Sequence, residues 1–340
     1  MSLIVKYGKV LLVLVAVIGL AVGYGAGYYV GLGSVHQPTT LLIDAAGTLQ
    51  VPFNSIVNNV VRPQYPSLSY NYIFEGSRLA KNEITEANKT FDIYASADYR
   101  LIPEDLIPNY ASWYIIFASN SMTVMYTNQS KYASEITPSN WYQVITRPGV
   151  IVGVSNKDTD PSGSQAIFMV KLAGLLYYGN SSYIYDQLYV TKASAKELIV
   201  APTETTLDAQ LETGAVDYVL TYSSEAISHK LQYLNLDPKV NLSNLTLASW
   251  YSQVNVTAEG KLTKGAPILY DITIPSNSPD PNMGAAFIKS VFSSEGQTIL
   301  STSGLHPLNP VYVYNQSAVP SDIIQAIQQA GITIAPPPTS

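Results

Sequence analysis

Residues 41–61, LLIDAAGTLQVPFNSIVNNVV, decide the fold. Residues 41–45 form a short apolar run of strand character, Gly47-Thr48 interrupts it, and 51–61 carries a helical pattern. A strand that passes through a small-residue turn directly into a helix is the opening half of a strand–helix–strand unit. The rhythm then repeats: strand 68–74, helix 77–87 and strand 91–95. Residues 113–118 and 122–126 read as two strands joined by Ser119-Asn120-Ser121. The turn Arg147-Pro148-Gly149 breaks the pattern, 150–155 starts a new strand, and 162–178 is a strongly apolar helix stopped by Gly179. Strand 198–201, a helix near 206–212 and strand 216–222 continue it. Residues 237–265 read as an exposed loop and hairpin, 268–274 as a returning strand, and 280–293, 295–302 and 322–330 as helices. The organisation predicted is a bilobal α/β fold. One lobe is 41–148 with 267–332 and the other is 149–266, with crossings near 148 and 267. Residues 1–33 precede a linker at 34–40, and 333–340 form a loose tail ending in consecutive prolines. Ligands of such folds sit in the crevice between lobes, at strand carboxyl ends.

Composition narrows the function. Hydrophobic residues make up 47% of the 340, which excludes global disorder. Charged residues are 12%, about half the usual share. The net charge of -6 argues against nucleic acid as a partner. Cysteine is absent, which excludes a disulfide scaffold, a thiol nucleophile and a lipoprotein anchor. His36, His229 and His306 are far apart in sequence and match no metal-ligand spacing. Carboxylate pairs such as Asp98 and Glu104, or Ser162 near Asp160, suggest no hydrolase without a His-assisted serine, so no catalytic residue is assigned.

Residues 10–32, VLLVLVAVIGLAVGYGAGYYVGL, are uncharged and follow Lys6 and Lys9. At about 1.5 Å per residue the run spans a bilayer core of roughly 30 Å, and the lysines hold the amino terminus inside. A retained N-terminal transmembrane helix with extracellular lobes is expected; cleavage as a signal peptide is the competing reading. Seven Asn-x-Ser/Thr sequons, at Asn88, Asn128, Asn180, Asn241, Asn244, Asn255 and Asn315, agree with export and suggest a glycoprotein.

The segments with chemical content lie at predicted strand ends. They are Ala45-Ala46-Gly47-Thr48, Glu75-Gly76-Ser77, Ala95-Ser96-Ala97-Asp98 and Asp160-Pro161-Ser162-Gly163. Small and hydroxyl residues at helix starts serve as ordinary caps. They also offer free backbone N–H groups to an anion. The set occurs on both predicted lobes, with Arg78 the one cation beside it. This suits a divalent oxyanion held by neutral donors.

Several stretches resemble the archaeal-type tungstate/molybdate-binding proteins of ABC importers. They are AAGTLQVPF at 45–53, DIYASADYRLIP at 92–103, WYIIFASNSMTVMYT at 113–127, SKYASEITPSNWYQVITRPGVIVGVSNKDTDPSG at 130–163 and ILYDITIP at 268–275. The resemblance implies a type II periplasmic-binding-protein fold, no catalysis, no cofactor beyond bound tungstate or molybdate, and a monomer serving an ABC permease and its ATPase. By the same resemblance Gly47 and Thr48 form an anion loop, with Ser77, Ser96, Ala97 and Ser162 around the oxyanion. Asp160 is implied as the carboxylate that approaches the tungsten or molybdenum directly. Where the family carries a second carboxylate, this sequence has Thr221, within Asp217-Tyr218-Val219-Leu220-Thr221-Tyr222. Glu225, four residues on, either compensates for it or, as the preferred reading, is a solvated helix residue. Another oxyanion or a small organic acid is the alternative ligand.

Overall fold

The computed structural model describes residues 40–338. The predicted anchor and residues 34–39 of the predicted linker therefore lie outside the described residues, while Thr40 already belongs to the first strand. Of the two units into which the chain divides, the second, residues 40–66 with 70 onward, holds nearly all of the described residues. The second unit carries two large sheets and a two-stranded hairpin.

Its chain begins with β1 (Thr40–Ala46), β2 (Ser69–Glu75), β3 (Ile93–Ser96) and β4 (Tyr114–Ser119). It continues with β5 (Met122–Tyr126), β6 (Val152–Ser155), β7 (Leu198–Ala201), β8 (Tyr218–Tyr222) and β9 (Gln232–Tyr233). A hairpin follows, β10 (Asn255–Ala258) and β11 (Lys261–Lys264). The chain ends through β12 (Leu269–Thr273), β13 (His306–Tyr314) and β14 (Ile334–Ala335). One sheet has the order β14-β13-β4-β12-β3-β1-β2 and the other β7-β6-β8-β5-β9.

Parallel neighbours share their carboxyl edge, and this places the turns that follow them side by side. β1 and β3 pair in parallel, Ile43 opposite Ile93 and Ala45 opposite Ala95. β6 and β8 pair in parallel, Val152 opposite Tyr218. The returning strand β12 runs antiparallel between β3 and β4.

The helices form where the sequence caps them. Asp160 accepts from the Ser162 N–H, Pro161 takes the first helical position, and the helix Pro161–Tyr178 stops at Gly179 with φ +66°. Asp280 likewise accepts from the Met283 N–H to start the helix Pro281–Phe292. The helix Ser77–Thr85 covers the larger sheet, burying Ala80 and Ile84 with Tyr94, Ile116 and Leu269. Phe53 of the helix Gln50–Ile56 meets Phe287 edge to face at 4.9 Å.

Three expectations fail and one strand went unread. The strands at 114–119 and 122–126 belong to different sheets, so the chain first crosses between sheets at Asn120-Ser121 and not near 148. A two-residue link is also long enough for a hairpin, but β5 pairs with β8 and not with β4. Residues 237–265 are not simply an exposed loop: Val240, Leu242 and Tyr251 are fully buried. The tail is not loose from 333 onward, since Ile334 and Ala335 pair with Val311 and Tyr312. The unread strand is β13, because Pro307 and Pro310 interrupt it, and its ladder with β4 is broken between Pro307 and Tyr312.

Candidate functional site

The carboxyl edges of the two sheets meet. On the larger lobe the residues after β1, β2 and β3 gather there; on the smaller lobe, those after β6 and β8. Two glycines mark the close approach. A Cβ on Gly76 would lie 2.3 Å from the Thr159 carbonyl oxygen and 2.9 Å from Asp160 Cβ. A Cβ on Gly304 would lie 2.9 Å from Ser224 Cα. The Leu79 N–H donates to the Thr159 carbonyl at 3.3 Å, a further tie across the junction.

Gly47 and Thr48 are buried in the turn after β1. Thr48 Oγ1 lies 2.8 Å from the Tyr270 hydroxyl. Ser77 and Ala97 are brought together, with the Ala97 N–H donating to Ser77 Oγ at 3.0 Å. Ser77, having accepted there, keeps its own hydroxyl proton to give. Ser96 turns inward on its own loop, donating to the Asp98 carbonyl at 2.9 Å and accepting from the Asp98 N–H at 2.8 Å. Asp160 Oδ1 accepts from the Ser162 N–H at 2.9 Å. The hydroxyls of Ser162 and Thr221 are buried with no hydrogen-bond partner.

The expectation of free N–H groups is thus corrected at Ala97 and Ser162, whose amides are taken by Ser77 and Asp160. Side-chain hydroxyls, more than amides, remain to be satisfied. A buried hydroxyl left without a partner costs about 1–3 kcal/mol.

The electrostatics follow from pairing. Arg78 is paired in part: it lies 3.5 Å from Asp98 and 3.4 Å from Glu259 of the β10–β11 turn, while its buried Nη1 has no hydrogen-bond partner. Burial works to raise the Asp98 carboxyl, but Arg100 and Arg78 outweigh it and hold it below the usual range. In β12, burial and then the Asp98 charge push the Asp271 carboxyl well above its ordinary value. Glu225 overturns the expectation of a solvated residue, being only 2% exposed. Burial, then the neighbouring Asp208 and the more distant Asp160, push its carboxyl well up. It faces Asp208 and His229.

Sequence reading missed the network behind Thr48. The Asn120 amide donates to the Tyr270 hydroxyl at 2.9 Å and to Ser224 Oγ at 2.7 Å. Its Oδ1 accepts from the Ser121 N–H and from the Ser223 hydroxyl. Asn120 therefore links the larger sheet to the start of the helix Ser223–Ser228 across the crossing strand. An Asn between two serines at a sheet crossing was the available signal; Tyr270, in an apolar strand, gave none. Elsewhere, a groove of about 430 Å³ lined by Tyr99, Leu245, Leu262 and Pro267 lies beside the hairpin. Its lining is mostly apolar by area, carries Arg100, Glu104, Lys261 and Lys264, and includes none of the hydroxyl cluster.

Residues 41–306 match the family described as bacterial extracellular solute-binding protein. The chain belongs to that family. It is 31% identical to the molybdate/tungstate-binding protein WtpA of Thermococcus kodakarensis, over 97% of this chain and 99% of the relative. The periplasmic molybdate-binding protein of Azotobacter vinelandii superposes with a TM-score of 0.57 at 13% identity, covering 79% of this chain and 99% of that one. The sulfate-binding protein SubI of Mycobacterium tuberculosis does so with 0.56 at 14% identity, covering 87% and 92%. The solute-binding protein thus has the α/β periplasmic-binding-protein fold. That fold is shared by binders of different anions, so side chains must choose the ligand.

Proposed function

We propose that this solute-binding protein captures molybdate or tungstate and delivers it to the permease of an ABC importer driven by its ATPase. The near full-length likeness to a molybdate/tungstate-binding protein carries the reading. The buried, unpartnered hydroxyls of Ser162 and Thr221 support it. The proposed pocket is Gly47, Thr48, Ser77, Ser96, Ala97, Asp160, Ser162 and Thr221. Gly47 leaves room for the anion, and the hydroxyls of Ser77, Ser162 and Thr221 donate to its oxygens. Ser96 and Ala97 shape the loop that holds Ser77.

Asp160 supplies the carboxylate that approaches the metal of the oxyanion. Molybdenum and tungsten accept an added oxygen ligand; sulfur in sulfate does not, and an ionised Asp160 repels it. Thr221 gives a hydroxyl in place of a second carboxylate, so the pocket relies on hydrogen bonds to a larger degree. No catalytic step and no resident cofactor enter this role. Residues 10–32 anchor a monomer to the membrane with its lobes outside, where the sequons receive glycans. Among the described residues no helix is long and apolar enough to cross a membrane.

Calorimetry of the full-length chain in mild detergent, with tungstate, molybdate and sulfate, tests the proposal. Sulfate is expected to bind at least about a hundredfold more weakly, and Asp160→Asn to lose about tenfold in tungstate affinity with little change in unfolding midpoint, since Asn caps a helix about as well as Asp. Equal affinity for sulfate would remove the ligand assignment, and an unaffected Asp160→Asn would remove the direct role of Asp160.

A further inference from the structure

A second cluster lies on the smaller lobe. Glu225 and His229 stand one helical turn apart, the His229 N–H donating to the Glu225 carbonyl at 3.0 Å. Asp208, at the start of the helix Asp208–Glu212, approaches both. One ligand-capable atom of each residue lies within 4.8 Å of the others. His229 Nε2 is 3.4 Å from Asp208 Oδ2 and 3.5 Å from Glu225 Oε1.

A histidine serving as counter-ion to two acids is the simpler reading, and two observations count against it. The separations exceed the roughly 2.7–2.9 Å of a charge-assisted hydrogen bond. Glu225 Oε1, on a residue 2% exposed, points at the imidazole yet has no hydrogen-bond partner, and the buried Asp208 Oδ1 has none either.

The separations suit a bound ion. A tetrahedral ion about 2.1 Å from each ligand holds those ligands about 3.4 Å apart. We propose that Asp208, Glu225 and His229 form a binding site for a divalent transition-metal ion of the zinc class. The ion would satisfy the orphaned carboxylate oxygens and offset their charge. The His229 side chain is 38% exposed, which gives the ion a path in and leaves its fourth position to water.

The site shares no residue with the proposed oxyanion pocket, which it neighbours through Glu225 and Asp160, and its test does not use an oxyanion. Equilibrium dialysis of the full-length chain against zinc chloride, read by atomic absorption, is expected to give one zinc per chain and a raised unfolding midpoint. His229→Gln, a change at a half-exposed position, is expected to weaken zinc binding by at least about tenfold, and Asp208→Asn to do the same. His306→Gln, on β13, is expected to leave it unchanged. A wild-type chain that takes up no zinc, or a His229→Gln variant that binds it as tightly as wild type, overturns the proposal. Should Asp208→Asn fail to fold, His229→Gln decides alone.

Discussion

Gly76 and Asp160 belong to different lobes, yet a single methyl on Gly76 would stand 2.9 Å from Asp160 Cβ and 2.3 Å from the preceding carbonyl oxygen. The start of the helix Ser77–Thr85 thereby packs backbone against backbone on the loop that supplies Asp160. Ser77, next to the glycine, and Asp160, at the head of its own helix, are held in one small volume. The Leu79 N–H bond to Thr159 fixes the same contact.

Gly76→Ala should therefore disrupt the junction more than either lobe. The clash is with a carbonyl oxygen and cannot be relieved by a rotamer change. Overpacking of this kind costs about 1–3 kcal/mol. The expected result is a loss of about tenfold or more in oxyanion affinity by calorimetry, with the far-ultraviolet circular dichroism of the ligand-free chain unchanged. A variant that binds tungstate as tightly as wild type would show that the close approach at Gly76 is not needed for capture.

Tyr270→Phe removes the hydroxyl that joins Thr48 to Asn120. Thr48 Oγ1 then loses this partner in a buried site, and Asn120 keeps its bond to Ser224. Leaving a buried polar group unsatisfied costs about 1–3 kcal/mol. Urea unfolding should show a stability lowered by that amount at unchanged slope. No measurable shift would mean that the hydroxyl contributes nothing to the network.

Asp44 gives stability a pH dependence with a definite sign. Burial, then the charges of Glu75 and Glu83, push its carboxyl up to about 8 from 3.8, with Lys89 acting the other way. Between those two values the folded chain holds a proton that the unfolded chain has released. This contribution is complete below the unfolded value and is lost as pH rises through the folded one, at a slope of up to about 1.4 kcal/mol per pH unit. Asp44→Asn should flatten this part of the profile. Urea midpoints at about pH 5 and about pH 7.5 in both proteins check it, the expected drop being larger in wild type. Parallel profiles would mean that Asp44 ionises in the folded chain as it does in the unfolded one.

The alternation of apolar strands and capped helices was legible residue by residue because caps, turns and periodicity act within a few positions. Asp160-Pro161 marked a helix start and Gly179 its end, and both hold. The assignment of strands to sheets was not legible at 113–126. Two strands joined by three residues fit either a hairpin or a crossing, and the choice rests on β8, about a hundred residues away, which pairs with β5. Likewise Glu225 carries an ordinary helical pattern, and nothing near it in sequence announces that Asp208 and Asp160 surround it.

By itself, the sequence determined the α/β class, the helix starts that supply hydroxyls and the residues that carry the family resemblance, since each depends on local chemistry. Tertiary structure alone decided which of those groups remain available to an anion. The amide of Ala97 is taken by Ser77, which packing brings to it, and that of Ser162 by its own helix cap Asp160, while the hydroxyls of Ser162 and Thr221 are buried without a partner. The physical reason is that hydrogen-bond satisfaction is a property of the folded surroundings: a donor is free or spent according to what the rest of the chain places within about 3 Å of it.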